Sequence, residues 1–175
     1  MDHLVCFMGG LLALGAYSDP EGLDSHRAQR DLKTGKALTY SCYQMYAATA
    51  TGLSPEIVDN WNSGPRVDRF SAFYMLRPEA VESFYILHQL TGDPIYREWG
   101  WEVFQSIEKY CKTDIAYGTY PNVEEKYLEP EDVMESFFLA ETLKYLYLLF
   151  DPDTEVDILG KYVFNTEAHP LRIFE

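Results

Sequence analysis

The stretch Tyr74-Met75-Leu76-Arg77-Pro78-Glu79-Ala80-Val81-Glu82-Ser83 places one guanidinium and two carboxylates at the start of a predicted helix. Pro78 suits the first helical position, because no N–H is needed there and its fixed φ fits the turn. Glu79 and Glu82 are three residues apart and therefore lie on one face. The positive helix end favours their ionised forms, and Arg77 can bind a nearby oxyanion or sugar hydroxyl. The stretch predicts either a general base or an ordinary helix start with solvated acids.

Apolar residues recur at helical spacing on both sides of this stretch and predict an all-α protein built from helical hairpins. A short strand is expected near the C-terminus, at Tyr162-Val163-Phe164. The tripeptide Ser54-Pro55-Glu56 has the pattern of one further helix start. The predicted helices cover residues 3–17, 37–51, 78–91, 93–111 and 132–150, and the predicted loops cover residues 18–35, 60–69 and 113–129.

Composition limits the classes of partner. The net charge of −14 repels nucleic acid and anionic membranes, so we expect neither as a partner. The uncharged run from Leu4 to Tyr17 follows Asp2 and is shorter than the roughly 20 residues that span a bilayer. It is therefore predicted to be a buried helix rather than a membrane segment or a signal peptide. The 14 tyrosines and 10 phenylalanines offer flat faces that suit sugar rings, although such residues also fill ordinary cores.

The three cysteines leave two possibilities open. Cys6 and Cys42 lie on two apolar helices that could pack together, and Cys111 lies at the end of another. A bridge between the first two would close a loop of about 36 residues and contribute roughly 3 to 4 kcal/mol. Three unpaired core thiols are the alternative by spacing alone. No cysteine or histidine spacing is typical of zinc, so a transition-metal site is not expected.

Acids in unusual places suggest a ligand site. Glu141 lies within a nearly all-apolar helix, where a carboxylate needs a cation, a metal or several donors; a salt bridge to Arg or Lys is the alternative. Thr166 and Glu167 follow the predicted strand and could supply oxygen ligands to a hard cation such as calcium. His3, at the head of the first helix, fits a structural histidine better than a ligand contact on local grounds.

Six sequence motifs, spread in order from residue 3 to residue 170, carry a resemblance. They resemble the C-terminal part of glycoside hydrolase family 47, the class I α-1,2-mannosidases that trim N-glycans in the secretory pathway. The motifs are His3-Leu4-Val5-Cys6-Phe7, Cys42-Tyr43-Gln44-Met45-Tyr46, Gly52-Leu53-Ser54-Pro55-Glu56, Leu76-Arg77-Pro78-Glu79 with Glu82-Ser83, Met134-Glu135-Ser136-Phe137-Phe138-Leu139 with Glu141-Thr142-Leu143-Lys144-Tyr145, and Phe164-Asn165-Thr166-Glu167-Ala168-His169-Pro170.

The resemblance implies roles for individual residues. Glu79 would be the general base of an inverting hydrolysis of terminal α-1,2-linked mannose from high-mannose N-glycans. Thr166 would be the direct protein ligand of a calcium ion, and Cys6 and Cys42 would form the disulfide, with Cys111 left over. The acids around the calcium waters and mannose hydroxyls would be Glu56, Glu82, Glu141 and Glu167, and the further sugar contacts would be His3, Arg77 and Phe137. We expect the Thr166 segment to turn into the same cleft as Glu79.

The resemblance also implies a larger whole. The family's catalytic domain is an (α/α)7 barrel more than twice as long, so residues 1–175 are expected to be its C-terminal portion. The absent N-terminal half would be the partner of this chain and would carry the general acid. The whole protein would act in the endoplasmic reticulum or Golgi, anchored to the membrane through an N-terminal segment. The alternatives are a non-catalytic glycan-recognition or quality-control protein and a truncated calcium-binding product.

Overall fold

The computed structural model describes residues 1–59 and 64–174, and this part of the chain is mainly helical. Two short antiparallel strand pairs accompany the helices, and one of them lies near the C-terminus. The helices are a 3-10 turn at His3–Cys6, α1 Phe7–Tyr17, α2 His26–Ala47, α3 Glu79–Thr91, α4 Ile95–Tyr110, and a π-turn at Phe138–Thr142 that leads into α5 Leu143–Phe150. The strands are β1 Val58–Asp59, β2 Arg66–Val67, β3 Tyr162–Phe164 and β4 Pro170–Arg172.

Helices α1 and α2 pack at close range because glycines face each other. A Cβ on Gly9 would lie 2.0 Å from Thr39 Oγ1, and one on Gly35 would lie 2.7 Å from the Gly9 carbonyl oxygen. The expected disulfide between Cys6 and Cys42 is present, with Cα atoms 5.8 Å apart and both residues fully buried. The bridge and the glycines together fix the position of α2 against α1.

The sequence prediction of α2 was wrong at both ends. The helix begins at His26, inside the predicted loop 18–35, and ends at Ala47 rather than residue 51. Ser25 is the N-cap, since its hydroxyl accepts a hydrogen bond from the Ala28 amide at 3.0 Å. The polar and charged residues after it are good helix formers, and they lie on the exposed side of an amphipathic helix.

The tripeptide Ser54-Pro55-Glu56 does not start a helix. The Ser54 hydroxyl donates to the Pro55 carbonyl instead of capping. The Glu56 backbone pairs with two distant segments, because its carbonyl accepts from the His3 amide at 2.8 Å and its amide donates to Ser71 at 2.9 Å. Of the predicted loop 60–69, residues 60–63 lie outside the described part, and β2 occupies two of the others.

Helix α3 is the centre of the fold, and it packs against α1, α2, α4 and α5. The predicted hairpin of α3 and α4 is confirmed, with Gly92 in the left-handed conformation at the turn, φ 68°. Ser83 joins α3 to α1, because its hydroxyl donates to the Cys6 carbonyl and accepts from the Gly10 amide. These contacts hold the start of α3 beside the 3-10 turn that carries His3.

The C-terminal third differs from the prediction mainly in one helix. The predicted helix 132–150 begins only at Ser136 and contains the π-turn before it continues as α5. The irregular connection at 113–129 and the strand at Tyr162–Phe164 are confirmed. No helix in the described ranges combines the length and hydropathy that a membrane crossing requires.

Candidate functional site

A cavity of about 500 Å³ brings together residues from the start of α3, the π-turn and the tip of the β3–β4 hairpin. The expected meeting of Glu79 and Thr166 in one cleft is therefore found. Three carboxylates face the cavity, and the apolar residues around them come from the first helical segment and from β3. The lining residues are Leu4, Phe7, Glu79, Glu82, Glu141, Phe164, Asn165 and Thr166.

Glu79 is held from behind by a buried histidine. Its Oε2 lies 2.9 Å from Nδ1 of His3, whose Nε2 lies 2.7 Å from the Tyr46 hydroxyl. Each ring nitrogen of His3 therefore has one hydrogen-bond partner, the Glu79 carboxylate at Nδ1 and the Tyr46 hydroxyl at Nε2. His3 and Tyr46 are both almost completely buried. The network therefore fixes the orientation of the Glu79 carboxylate and leaves its other oxygen, Oε1, outside the hydrogen bond to His3.

Arg77 lies beside Glu79 and joins it to Glu56. The Arg77 Nε atom donates to Glu56 Oε2 at 2.9 Å, and Nη1 lies 3.9 Å from Glu79 Oε1. The guanidinium also lies over the Phe137 ring, 5.5 Å from its centroid. Glu56 Oε1 is buried and has no hydrogen-bond partner among the described residues. Burial raises the pKa of Glu56, and the positive charge of Arg77 opposes that shift.

The two other acids of the cavity are crowded. Burial raises the pKa of Glu82 to about 7, and the charges of Glu141 and Glu79 add to the shift. Glu141 also has a pKa of about 7, because of burial and then repulsion from Glu79 and Glu167. At Glu82, burial and the neighbouring acids outweigh the helix dipole, which favours the ionised form. The cavity thus holds more negative charge than its protein surroundings compensate.

The hairpin tip that carries Thr166 is an ordered turn. The Asn165 side chain accepts hydrogen bonds from the amides of Glu167 and His169, at 3.1 and 2.9 Å. Ala168 is fully buried with a positive φ of 54°, and its carbonyl accepts from Lys144 Nζ at 2.8 Å. The turn presents Thr166 to the cavity and leaves Glu167 on the surface.

The predicted site residues therefore take different positions. Glu79, Glu82, Glu141 and Thr166 line the cavity. His3 is fully buried behind Glu79, and both of its ring nitrogens have protein partners, Glu79 and Tyr46; its contact with sugar stays a prediction. Glu56 lies behind Arg77, and Phe137 lies beneath the guanidinium. Glu167 is exposed, and its Oε2 lies 3.8 Å from Nε2 of His169.

Residues that support the site were missed from the sequence. Tyr46 binds His3, and Asn165 accepts from the Glu167 amide. Thr142 and Lys144 bind the carbonyls of Leu76 and Ala168, which lie one and two residues from Arg77 and Thr166. All four supporting residues lie inside the quoted motifs. A polar residue beside a predicted site residue was the available signal. That signal did not identify the partner, because Thr142 and Lys144 bind carbonyls that are 66 and 24 residues away.

The sequence profile of glycosyl hydrolase family 47 matches residues 1–173 of the chain. The chain belongs to this family. The endoplasmic reticulum mannosyl-oligosaccharide 1,2-alpha-mannosidase of Mus musculus is 46% identical over 183 residues, which cover 99% of the chain and 27% of that protein. The Schizosaccharomyces pombe protein of the same name is 44% identical over 185 residues, which cover 97% of the chain and 35% of that protein. The chain thus spans about a quarter to a third of the length of these relatives.

A solved family 47 structure confirms the fold. The alpha-1,2-mannosidase from Trichoderma reesei superposes with a TM-score of 0.85 at 33% sequence identity, over 99% of this chain and 39% of that one. The described helices therefore have the arrangement of part of an (α/α)7 barrel, as the resemblance implies.

Proposed function

We propose that this chain carries the base and the calcium site of a catalytic domain that releases terminal α-1,2-linked mannose from high-mannose N-glycans with inversion. The observation that supports this best is the meeting of Glu79, Glu82, Glu141 and Thr166 in one cavity, from three segments far apart in sequence. The family 47 profile covers all three segments, and the relatives above are named as 1,2-alpha-mannosidases.

Glu79 is the proposed general base, which takes a proton from the attacking water. A base must present one carboxylate oxygen to the water in a fixed direction. His3 binds Oε2 at 2.9 Å, so Oε1 is the oxygen left for this step. The fully buried imidazole and the Tyr46 hydroxyl behind it keep the carboxylate from rotating.

Calcium is the proposed cofactor, with Thr166 as its direct ligand and Glu56, Glu82, Glu141 and Glu167 around its water shell. The carboxylates of Glu79, Glu82 and Glu141 and the hydroxyl of Thr166 line the cavity, and hard cations prefer such oxygen ligands. The raised pKa values of Glu82 and Glu141 indicate a site that a cation would stabilise. Bound calcium would orient hydroxyls and stabilise developing negative charge.

The sugar is proposed to contact Arg77, Phe137, Glu141 and Glu167. The Phe137 ring lies beneath the guanidinium of Arg77, and an aromatic ring next to a cationic donor suits a hydroxyl-bearing sugar. Glu56 Oε1, buried without a partner among the described residues, is free to accept from a ligand hydroxyl or a water.

The general acid is proposed to come from another part of a larger catalytic domain, because no acid of this chain matches the family's general acid. The protein is proposed to act in the secretory pathway, in the endoplasmic reticulum or the Golgi, and a membrane anchor in another part of the protein is part of the same proposal. The buried disulfide between Cys6 and Cys42 supports an oxidising compartment. The names of the mouse and fission-yeast relatives support the endoplasmic reticulum.

The test is Glu79→Gln in the intact protein. Mannose release from α-1,2-linked mannobiose in excess calcium should fall by about 10²- to 10⁴-fold, because glutamine keeps the shape but cannot take a proton. Calcium binding, measured by titration calorimetry, should stay within about twofold, since the variant keeps both polar atoms in place. Glu124→Gln, on an exposed loop, is the matched control and should change neither quantity.

Two results would contradict this proposal in different ways. Unchanged turnover by Glu79→Gln would show that another group is the base. Glycan binding without any turnover by the unaltered protein would favour a glycan-recognition or quality-control function, and calcium binding without glycan binding would favour a truncated calcium-binding product.

A further inference from the structure

Two residues near the cavity have an unfavourable backbone conformation. Leu76 and Ala168, with φ values of 65° and 54°, are the two non-glycine residues with positive φ within residues 1–59 and 64–174. Leu76 directly precedes Arg77, and Ala168 follows Thr166 by two positions. Left-handed conformations are rare for residues with a Cβ and persist only where the surroundings impose them.

Both strained residues are held by side chains of one short segment. Thr142, the last residue of the π-turn, donates its hydroxyl to the Leu76 carbonyl at 2.6 Å. Lys144, two residues later in α5, donates Nζ to the Ala168 carbonyl at 2.8 Å. Leu76, Ala168 and Thr142 are fully buried and Lys144 is half-buried, so the Thr142 bond is shielded from bulk water and the Lys144 bond is partly shielded.

We propose that Thr142 and Lys144 are positioning residues, which hold the loop of Arg77 and Glu79 and the turn of Thr166 on opposite sides of the cavity. The first loop carries the base and the second carries the calcium ligand of the function proposed above, on which this inference rests. Because Thr142 and Lys144 lie within one helical turn, their hydrogen bonds hold the two loops in position relative to each other and to α5.

Four variants separate the two bonds from general effects on stability. Thr142→Val and Lys144→Met remove the donors and keep the side-chain bulk, whereas Thr142→Ser and Lys144→Arg keep a donor. Thr34→Val is a matched control, because the Thr34 hydroxyl also donates to a carbonyl, that of Arg30 within α2. Lys112→Met is the other control, because Lys112 pairs with Glu108 on the surface.

Amide hydrogen exchange of the calcium-free intact protein reports on each loop directly. Lys144→Met should speed exchange of the Glu167, Ala168 and His169 amides by about three- to tenfold. Thr142→Val should speed exchange of the backbone amides within residues 76–82 by a similar factor. Both factors are those expected for the loss of one hydrogen bond. Each variant should leave the other loop unchanged. The serine, arginine and control variants should resemble the unaltered protein.

Calcium titration by calorimetry gives a second readout. Lys144→Met should weaken calcium binding by about 10- to 100-fold, as loss of an outer-shell partner does, and Thr166→Ala serves as the reference for loss of the ligand itself. Lys144→Arg should stay within about threefold. If the unaltered protein binds no calcium, the proposed cofactor is wrong, and the exchange measurement alone decides this inference.

The proposal is overturned if Lys144→Met leaves both the turn's exchange and the calcium affinity unchanged, or if exchange rises equally throughout the molecule. Lys144 is half-buried and methionine keeps its aliphatic stem, so this variant decides the matter even if Thr142→Val does not fold.

Discussion

Replacing Glu82 with glutamine should stabilise the calcium-free protein, and more at pH 8 than at pH 5. Burial and the charges of Glu141 and Glu79 raise the pKa of Glu82 from 4.5 to about 7. Since the folded state holds this proton more tightly than the unfolded state, stability falls as pH rises from about 4.5 to about 7 and stays low above that range. At 1.36 kcal/mol per pKa unit, the ionised side chain costs about 3 kcal/mol.

Glutamine keeps the shape of the side chain and removes the charge. Urea unfolding in the presence of a chelator should therefore give Glu82→Gln about 3 kcal/mol more stability at pH 8, and less than about 1 kcal/mol more at pH 5. Glu124→Gln, at an exposed position, should change little at either pH. In saturating calcium the stability gained by Glu82→Gln should be smaller, because the bound cation already compensates the negative charge of Glu82 in the unaltered protein. An equal effect at both pH values would refute the reasoning.

Two further predictions concern the α1–α2 contact. Replacing Cys6 and Cys42 together by alanine should lower the free energy of unfolding in urea by about 4 kcal/mol, as the chain-entropy model gives for a sequence separation of 36 residues. A loss below about 1 kcal/mol would contradict that model. Gly9→Ala should cost about 1 to 3 kcal/mol, because its Cβ would lie 2.0 Å from Thr39 Oγ1. Gly15→Ala, with nothing within 4 Å of the new Cβ, should cost nothing, and equal losses for the two glycine variants in thermal unfolding would argue against the close contact.

Local signals were enough to predict the central hairpin. Pro78 at the start of α3, Gly92 at its end and Asp93-Pro94 before α4 act within a few residues, so the sequence determines them without tertiary context. The start of α2 differs from the prediction because the charged residues after Ser25 are as typical of a surface loop as of the exposed side of an amphipathic helix. The segment at Ser54-Pro55-Glu56 was mispredicted for the opposite reason, since backbone bonds to remote segments override its local pattern.

The site was predictable only as far as its motifs extend. Resemblance placed Glu79 and Thr166 in one cleft, and the cavity agrees. The position of His3 behind Glu79 depends on the packing of the 3-10 turn against α3, which spacing does not reveal. The same limit applies to Thr142 and Lys144, because side chains that bind distant carbonyls leave no periodic signal in the sequence.

The π-turn sets the rotational phase of everything that follows it in the last helix. At its end the amide of Leu143 bonds to the carbonyl of Phe138, five residues back, so the segment contains one residue more than a regular α-helical turn. Since an α-helix advances about 100° per residue, removal of that extra residue would restore regular geometry and rotate α5 by nearly a third of a turn. Thr142 and Lys144 would then point away from their two carbonyls. The one extra residue of the π-turn thereby directs both donors toward their carbonyls.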